Sequence, residues 1–323
     1  MAHPCPIVFQ SPEMYDFFIT TRSFIPEVII ACNDDESICG VLLAVTIREK
    51  KWPVSYFSSR TVVYGGPLID HERKDSNDIL DSLLKALIQK VSEQSVFIQF
   101  RNFSDWSTYK DVFARNGFIF TDRLNLIVDT TDEKQMMLRM SKSKVRQVHQ
   151  ALKNGAEIVF PRSIDDIREL YGILYRLYRF RVKKPLPDWP FFENFYYGFN
   201  SGKSGIILLI SYKGKIIGGI LSPVTAGRTI YEWYVCGLDE DYKKLYPSVL
   251  ATWAAMDYAV KNNIPSFDFM GVGRPEKKYG VRDFKQKFGG NMVNYGRWSR
   301  INNKFLYTVA EVGYNLLTWI KSI

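Results

Sequence analysis

Three apolar runs with short turns between them fill residues 205–236, GIILLISYKGKIIGGILSPVTAGRTIYEWYVC. The KG and AG pairs supply the turns, so this stretch predicts an antiparallel meander of three strands. The run SVLATWAAMDYAVKNN then predicts a helix with Ser248 as its N-cap, which ends at an asparagine pair before Pro265. SFDFMG is the next predicted strand. An order of three strands, a helix and a further strand leaves few folds open.

The first half of the chain repeats this order. EVIIACN and ICGVLLAVTI predict a hairpin around the turn residues NDDES, and VVYGGPLI predicts a third strand that two glycines interrupt. Residues 75–91 carry apolar side chains at helical spacing, with Ser76 or Asn77 as the N-cap. The strand SVFIQF, a helix over 106–116 that Gly117 closes, and the strand NLIVDT follow.

Both halves share the element order of an acyltransferase domain of the GNAT type, so we predict an α+β protein with two such domains in tandem. Each domain would hold a mixed, mostly antiparallel sheet flanked by helices. The length of 323 residues fits two domains of roughly 150 residues each. We place the N-terminal domain at 1–140 and the C-terminal domain at 141–323, the latter with the active site and a C-terminal helix.

The segment TDEKQMMLRMSKSKVRQVHQALKN, residues 131–154, predicts two helices that join near Ser141. Its second part is strongly basic. Lys142, Lys144 and Arg146 either solvate an outer helix face or line a groove that contacts phosphates or RNA. The sequence leaves both interpretations open.

The charge balance suits an anionic partner without requiring one. Lysine and arginine number 43 against 34 acidic residues, which gives a net charge of +9 and a pI near 9.2. The four cysteines show no CxxC pair and no metal-ligand spacing, so we expect no metal site. The N-terminal residues lack a signal-peptide pattern, and no apolar run is long enough for a membrane span. We therefore expect a cytoplasmic protein.

The stretch FDFMGVGRPEKKYGVRDFKQKFGG, residues 267–290, joins a strand to a glycine turn and a basic segment. Gly271 and Gly273 lack the third glycine that opens the helix of a dinucleotide-binding fold, so that fold is excluded. Two glycines still let a backbone approach a ligand closely, and Arg274 could supply positive charge to it.

Two charged residues are the catalytic candidates. Lys285 is flanked by Phe284 and Phe288, which would anchor its backbone if the segment is helical. Glu232 is the only acid in the strand TIYEWYVC and shares a predicted face with Tyr234. A carboxylate there could act as the general base for an acceptor amine. The alternative is a glutamate paired with a cross-strand lysine or arginine.

Three segments resemble the FemABX family in the same order: SKSKVRQVHQALKNGAEI, YRLYRFRVKKPLP and DFMGVGRPEKKYGVRDFKQKFGG. Together they extend over roughly 141–290. The resemblance implies a tandem-GNAT aminoacyltransferase that forms an amide without a metal or a further cofactor. Its donor would be aminoacyl-tRNA, and its acceptor would be a side-chain amine of a nucleotide- or lipid-linked peptidoglycan precursor.

The resemblance also implies roles for single residues. The family's FK pair matches Phe284 and Lys285, whose ammonium would stabilise the reacting carbonyl. An arginine and a tyrosine that bind the diphosphate of the precursor would correspond to Arg179 and to Tyr175 or Tyr178. A further phosphate-binding lysine of the family has no match here, which leaves the acceptor open. The expected substrate contacts are Tyr175, Tyr178, Arg179, Arg181, Lys183, Tyr234, Gly271, Gly273, Arg274, Tyr279 and Phe284.

One departure from ordinary acetyl-CoA enzymes bears on the donor. Those enzymes bind pyrophosphate with a Q/RxxGxG/A turn before the helix that follows the meander. LDEDYKKLYPSVLATW stands at this place, with Tyr246, Pro247 and Ser248 where glycines would be, so aminoacyl-tRNA or another large donor is favoured. Two alternatives stay open: an acyl-CoA-dependent N-acyltransferase acting on a sugar or polysaccharide precursor, and an inactive GNAT-fold binding protein.

The last segment, NNKFLYTVAEVGYNLLTWIKSI, predicts an amphipathic helix. It either docks on the second domain or lies in a membrane interface with Trp319 and Lys321 at the boundary. The second arrangement would make the protein peripheral at the inner face of the membrane and suits a lipid-linked acceptor.

Overall fold

The computed structural model describes residues 6–48, 59–182, 185–200 and 202–309. These residues form two compact units. The first unit runs to Asp122 and takes up the chain again from Tyr295, and the second unit is Arg123–Asn294. The second unit thus starts and ends earlier in the chain than the domain expected from the sequence. The boundary after residue 140 stays a prediction.

The described strands, in chain order, are β1 (Phe24–Cys32), β2 (Ile38–Ile47), β3 (Arg60–Tyr64), β4 (Leu68–Ile69), β5 (Phe97–Arg101), β6 (Ile119–Thr121), β7 (Leu124–Asp129), β8 (Ala156–Val159), β9 (Gly205–Tyr212), β10 (Lys215–Thr225), β11 (Thr229–Tyr231), β12 (Tyr234–Gly237), β13 (Ser266–Asp268), β14 (Asn291–Asn294) and β15 (Arg297–Ile301). The described helices are α1 (Pro12–Thr20), α2 (Ser76–Val91), α3 (Lys110–Arg115), α4 (Glu133–Arg139), α5 (Lys142–Lys153), α6 (Ile164–Leu177), α7 (Trp189–Phe199), α8 (Pro247–Lys261) and α9 (Gly280–Gln286).

The first unit is built on a sheet in the order β1-β2-β3-β5-β15-β6, with β4 beside β2. The predicted hairpin is confirmed, since β1 and β2 pair antiparallel, and β3 lies parallel to β5. The third strand breaks at its two glycines as predicted: β3 ends at Tyr64 and β4 begins at Leu68. The N-cap of α2 is Asp75. The predicted cap at Ser76 or Asn77 is wrong, because both residues lie within the first turn.

The second unit is built on a sheet in the order β14-β7-β13-β11-β10-β9-β8, with β12 beside β10. The predicted meander over 205–236 is confirmed in β9 and β10, which pair antiparallel. Its third strand splits into β11 and β12. Both pair with β10, at different stretches, and leave Glu232 and Trp233 between them.

The split opens the sheet beside Glu232. β11 and β13 run parallel, and Glu232 N–H still donates to the Asp268 carbonyl at 2.9 Å. Beyond that bond, β12 stays on β10, whereas the chain after β13 bonds to β7: Phe269 N–H donates to the Leu126 carbonyl at 3.1 Å. β12 and the chain after β13 therefore diverge, and the side chain of Glu232 lies at the point where they separate.

Helix α8 follows β12 and is largely buried. Tyr246 precedes it in the left-handed region, with φ of 43°, and makes no side-chain cap bond. The predicted Ser248 N-cap is wrong, because Ser248 lies in the first turn and its N–H donates to Asp239 Oδ1 at 3.1 Å. Gly237 packs so closely on this turn that a Cβ would not fit there.

Helices α4 and α5 meet at Ser141, as the sequence predicts. The Ser141 hydroxyl accepts a hydrogen bond from Lys144 N–H at 3.3 Å and caps α5. Ser141 N–H in turn donates to the Lys287 carbonyl at 2.9 Å, which ties the start of α5 to the end of α9.

Residues 304–309 are helical. The remainder of the predicted C-terminal helix, including Trp319 and Lys321, lies outside the described residues, so its placement stays a prediction. Among the described helices, none has both the length and the apolar character that crossing a membrane requires.

Candidate active site

Two charged side chains meet at the place where β12 and the chain after β13 diverge. The Lys285 ammonium on α9 lies 2.8 Å from Glu232 Oε1, with 12% of the lysine side chain and 2% of the glutamate side chain exposed. The second oxygen of Glu232 accepts a hydrogen bond from the Thr252 hydroxyl on α8, at 3.3 Å. A buried ion pair of this kind needs its remaining hydrogen-bonding capacity satisfied nearby.

Backbone carbonyls complete the surroundings of the lysine. Its ammonium donates to the Phe269 carbonyl at 2.9 Å and to the Gly271 carbonyl at 3.4 Å. Both carbonyls belong to the turn after β13, in which Met270 has φ of 54° and Gly271 has φ of 120°. Positive φ is costly for a methionine and is held only where the surroundings impose it.

Two residues that the sequence analysis missed impose this turn. Asp268 Oδ1 accepts hydrogen bonds from Asn125 Nδ2 at 2.7 Å and from Met270 N–H at 2.5 Å. Asn125 Oδ1 accepts one from Gly271 N–H at 2.8 Å. The aspartate between two phenylalanines in FDF was an available signal, because a buried strand rarely carries a charge. Asn125 carries no such signal, because it meets the turn only through the pairing of β7 with β13.

Burial shifts the acids of this site upwards. Desolvation raises the pKa of Glu232, and the charge and hydrogen bond of Lys285 oppose that rise. Desolvation likewise raises the pKa of Asp268 to about 6, against the hydrogen bonds of Met270 and Asn125. Carboxyl groups with raised pKa values beside a lysine in an opening of the sheet are typical of sites that move protons.

Tyr178 relates the predicted tyrosines to the ion pair. Tyr178 and Tyr234 have ring centroids 6.2 Å apart. Desolvation, together with smaller charge interactions with Cys236, Glu232 and Tyr279, raises the pKa of Tyr178 to about 12. Tyr178 therefore lies within electrostatic reach of both the glutamate and Tyr279. It also begins a π-helical turn, Tyr178–Val182, that continues α6, and such turns are frequent at functional sites.

The predicted glycine loop lies beside these residues. Gly273 has φ of 90°, and a Cβ there would lie 2.9 Å from the Tyr279 ring. Arg274 contacts Glu276 at 3.8 Å, with both side chains largely exposed. Arg282 on α9 donates to the Val272 carbonyl at 3.0 Å and holds the loop against the helix.

The remaining predicted contacts lie at the surface. Arg179 and Tyr175 are exposed, and Arg179 Nη1 lies 3.5 Å from the tyrosine hydroxyl. Arg181 pairs with Glu240 at 3.2 Å, both exposed. Lys183 lies outside the described residues.

The basic residues of α5 divide into two kinds. Lys142 and Arg146 are exposed, as either interpretation of this segment requires. Lys144 is only 5% exposed, and its ammonium lies over the ring of Phe284.

The first turn of α8 is where GNAT enzymes hold the pyrophosphate of CoA. In this chain the Asp239 carboxylate already accepts the Ser248 N–H, and Gly237 packs against the turn. A carboxylate at this position would repel a phosphate and compete for the same donor. The residues present do not fit the usual CoA site.

The stretch that carries both members of the ion pair has known relatives. Residues 217–315 match the FemAB family. The FemABX resemblance of the sequence is thereby confirmed. No curated protein matches the chain.

Solved structures share the fold across nearly the whole chain. FemX superimposes with a TM-score of 0.71 at 14% identity, over 95% of this chain and 95% of FemX. L-PGS from Bacillus licheniformis gives 0.58 at 12% identity, over 97% of each chain. A tandem GNAT protein from the clavulanic acid biosynthesis pathway gives 0.55 at 9% identity, over 94% of this chain and 90% of that one. The predicted α+β fold of two tandem GNAT-like domains is confirmed. Family and fold together support an acyltransferase kind of activity.

Proposed function

We propose that this FemAB-like protein transfers an aminoacyl group from aminoacyl-tRNA to an amine of a nucleotide- or lipid-linked cell-wall precursor. The observation that carries the proposal is the 2.8 Å contact between Lys285 and Glu232, at the opening between β12 and the chain after β13. A cation and a carboxylate side by side in a largely dehydrated opening are the groups that amide formation needs.

In the proposed reaction the acceptor nitrogen attacks the ester carbonyl carbon of the donor. A C–N bond forms, and the carbonyl oxygen becomes an oxyanion next to the Lys285 ammonium. Glu232 takes a proton from the attacking nitrogen. The oxyanion then re-forms the carbonyl as the C–O ester bond breaks, and the leaving ribose oxygen takes the proton that Glu232 accepted, which restores the starting charges of the site. Removing one oxyanion donor typically slows such reactions about 10²- to 10³-fold.

The Lys285 ammonium can bind a substrate oxyanion if that oxygen replaces one of its three present hydrogen-bond acceptors. Its contacts are Glu232 at 2.8 Å, the Phe269 carbonyl at 2.9 Å and the Gly271 carbonyl at 3.4 Å. The longest bond is the weakest, so Gly271 is the contact that a substrate oxygen replaces. The other two contacts would keep the lysine in place during the reaction.

Aromatic and basic residues would hold the acceptor. Tyr178 interacts electrostatically with Glu232 and Tyr279 and lies against the ring of Tyr234, and these three aromatic side chains suit a sugar or peptide portion. Arg179 and Arg181, exposed on the π-helical turn that Tyr178 begins, suit the diphosphate of a nucleotide- or lipid-linked precursor.

An acyl-CoA donor has less support. Asp239 occupies the backbone donor at the start of α8 that would face the pyrophosphate. We therefore infer a donor whose phosphates bind elsewhere, which aminoacyl-tRNA satisfies.

The test is a transfer assay with purified protein. Radiolabelled aminoacyl-tRNA pools and acyl-CoA compounds are each offered with nucleotide-linked and with lipid-linked cell-wall precursors. Lys285→Met and Glu232→Gln are compared with Lys85→Met, a matched control whose side chain is 69% exposed on α2 of the first unit. Transfer from tRNA that both site variants lose and the control keeps is the expected result.

Transfer from acyl-CoA that depends on Lys285 would show that the donor is not aminoacyl-tRNA, but it would still support the proposed catalytic role of Lys285 and Glu232. Activity that is indifferent to both site variants would overturn the proposal. Binding of a precursor without transfer from any donor would favour a GNAT-fold binding protein.

A further inference from the structure

Lys144 is a buried amine that forms no ion pair within the described part of the chain. It lies in the first turn of α5 with 5% of its surface exposed. Its ammonium lies 3.8 Å from the ring centroid of Phe284 and 5.2 Å from that of Phe288. Among the described residues, no carboxylate comes within ion-pair distance of it. The face of an aromatic ring attracts a cation, most strongly where water is excluded.

This contact reaches the candidate catalytic lysine through one peptide bond. Phe284 precedes Lys285 on α9, a short helix with no fully buried residue of its own. Such a helix depends on its neighbours for its position. Arg282 ties one side of it to the Val272 carbonyl, and the end of α9 is tied to α5 by the bond from Ser141 N–H to the Lys287 carbonyl.

A charge at this place is unfavourable for folding. Desolvation, with a smaller contribution from the charge of Lys287, lowers the pKa of Lys144 to about 8, and the charge of Asp239 partly offsets both effects. A lowered lysine pKa means that the unfolded chain holds the proton more tightly, so stability rises as pH rises from about 8 towards the ordinary value of 10.5. Below that range the ammonium costs stability, and a methionine of similar length would avoid the cost.

We propose that Lys144 is a positioning residue, whose ammonium holds the Phe284 ring and thereby sets the place of Lys285 against Glu232. The proposal rests on the proposed function for its effect on catalysis. The geometry of α9 is a separate claim, which can be measured without any substrate.

The first experiment therefore follows α9 by hydrogen exchange in the full-length protein. Lys144→Met removes the charge, Lys144→Arg keeps a cation that can lie over the ring, and Lys153→Met is the control at the exposed end of the same helix. We expect amides of residues 281–288 to exchange about tenfold faster or more in Lys144→Met and near the wild-type rate in Lys144→Arg and the control. Urea unfolding at neutral pH should find Lys144→Met no less stable than wild type.

Unchanged exchange in α9 of Lys144→Met would overturn the proposal. So would a loss of global stability that accounts for the faster exchange, because Lys144 would then be a structural residue.

The second experiment measures transfer against pH. Wild-type activity divided by Lys144→Arg activity should fall as pH rises through about 8, since only the wild type loses its cation there. Lys144→Met should lower kcat below about pH 8 with little change in KM, and its kcat should approach that of the wild type above this pH, where the wild type has lost the cation. A ratio that is flat with pH would contradict the proposal. Absence of transfer in the wild type would defeat the proposed function alone, and the exchange result would still decide the role of Lys144.

Discussion

Lys285 and Glu232, 53 residues apart in the sequence, meet at 2.8 Å with almost no side-chain surface exposed. Burying either charged side chain without the other would cost much folding free energy. The pair therefore links the position of α9 to the break between β11 and β12. Several measurable consequences depend on that link.

A double-mutant cycle should show strong coupling within the pair. Lys285→Met leaves a buried glutamate and Glu232→Gln leaves a buried ammonium, and each loss should cost about 3–5 kcal/mol of unfolding free energy. The double variant should cost clearly less than the sum. Urea unfolding measures all four proteins. Additive costs would show that the two charges do not stabilise each other.

The cost of Lys285→Met should also grow with pH. Without the lysine, only the hydrogen bond from Thr252 opposes desolvation, so the pKa of Glu232 rises further. A raised carboxyl pKa gives stability that is present below the unfolded value and is lost as pH rises through the folded value. Unfolding free energies at a series of pH values test this, and a cost independent of pH would contradict it.

Asp268 should make the unfolding free energy depend on pH, and the variant Asp268→Asn should lack this dependence. Burial raises the pKa of Asp268 from 3.8 to about 6. The associated stability is present below about pH 4 and is lost as pH rises through about 6, by about 3 kcal/mol at most. Asp268→Asn should therefore gain stability relative to wild type over this range. Urea unfolding checks the difference, with Asp34→Asn in an exposed turn as control. Parallel pH curves for wild type and Asp268→Asn would rule the effect out.

Asn125→Ala should loosen the turn that holds Lys285. It removes the acceptor of Gly271 N–H and of Leu126 N–H, both at 2.8 Å, which should cost about 1–3 kcal/mol. The transfer rate should fall as well, because the Gly271 and Phe269 carbonyls bind the ammonium. Asn262→Ala, at the exposed end of α8, is the control for stability and rate. Full activity in Asn125→Ala would show that the transfer rate does not depend on this turn.

Two glycines of the same loop should behave in opposite ways. Gly273→Ala forces a side chain into φ of 90° and against the Tyr279 ring, so it should cost about 1–2 kcal/mol and raise KM for the acceptor. Gly280 is the first residue of α9, and a Cβ added there by Gly280→Ala would have no neighbour within 4 Å. It should be neutral or slightly stabilising. Thermal unfolding and acceptor titrations of both variants decide this, and equal effects would show that the fit of Tyr279 on Gly273 is unimportant.

Much of the fold could be predicted from local patterns. Apolar runs broken by turn residues located β1, β2, β9 and β10 and the interrupted strand at residues 62–69, because burial and turn chemistry act over a few residues. Helix caps were predicted less well. Ser248 looked like a cap, but the helix begins one residue earlier, at Pro247, after Tyr246 in the left-handed conformation.

The candidate site was predicted in part. The FemABX resemblance marked Lys285 and Phe284, and strand composition marked Glu232, but no local pattern tells whether two such residues meet. Lys144 had the same appearance as Lys142 and Arg146 in a basic helix, yet only Lys144 faces the aromatic rings of α9.

The sequence by itself determined the element order, the interrupted strand at residues 62–69 and the FemABX resemblance, since these depend on residue periodicity and on motifs within short stretches. The tertiary structure alone decided that β7 pairs with β13, that Asn125 and Asp268 hold the turn after β13, and that Lys285 meets Glu232. The reason is physical: such contacts join residues far apart in the chain, and their energies depend on burial that only the assembled sheets and helices create.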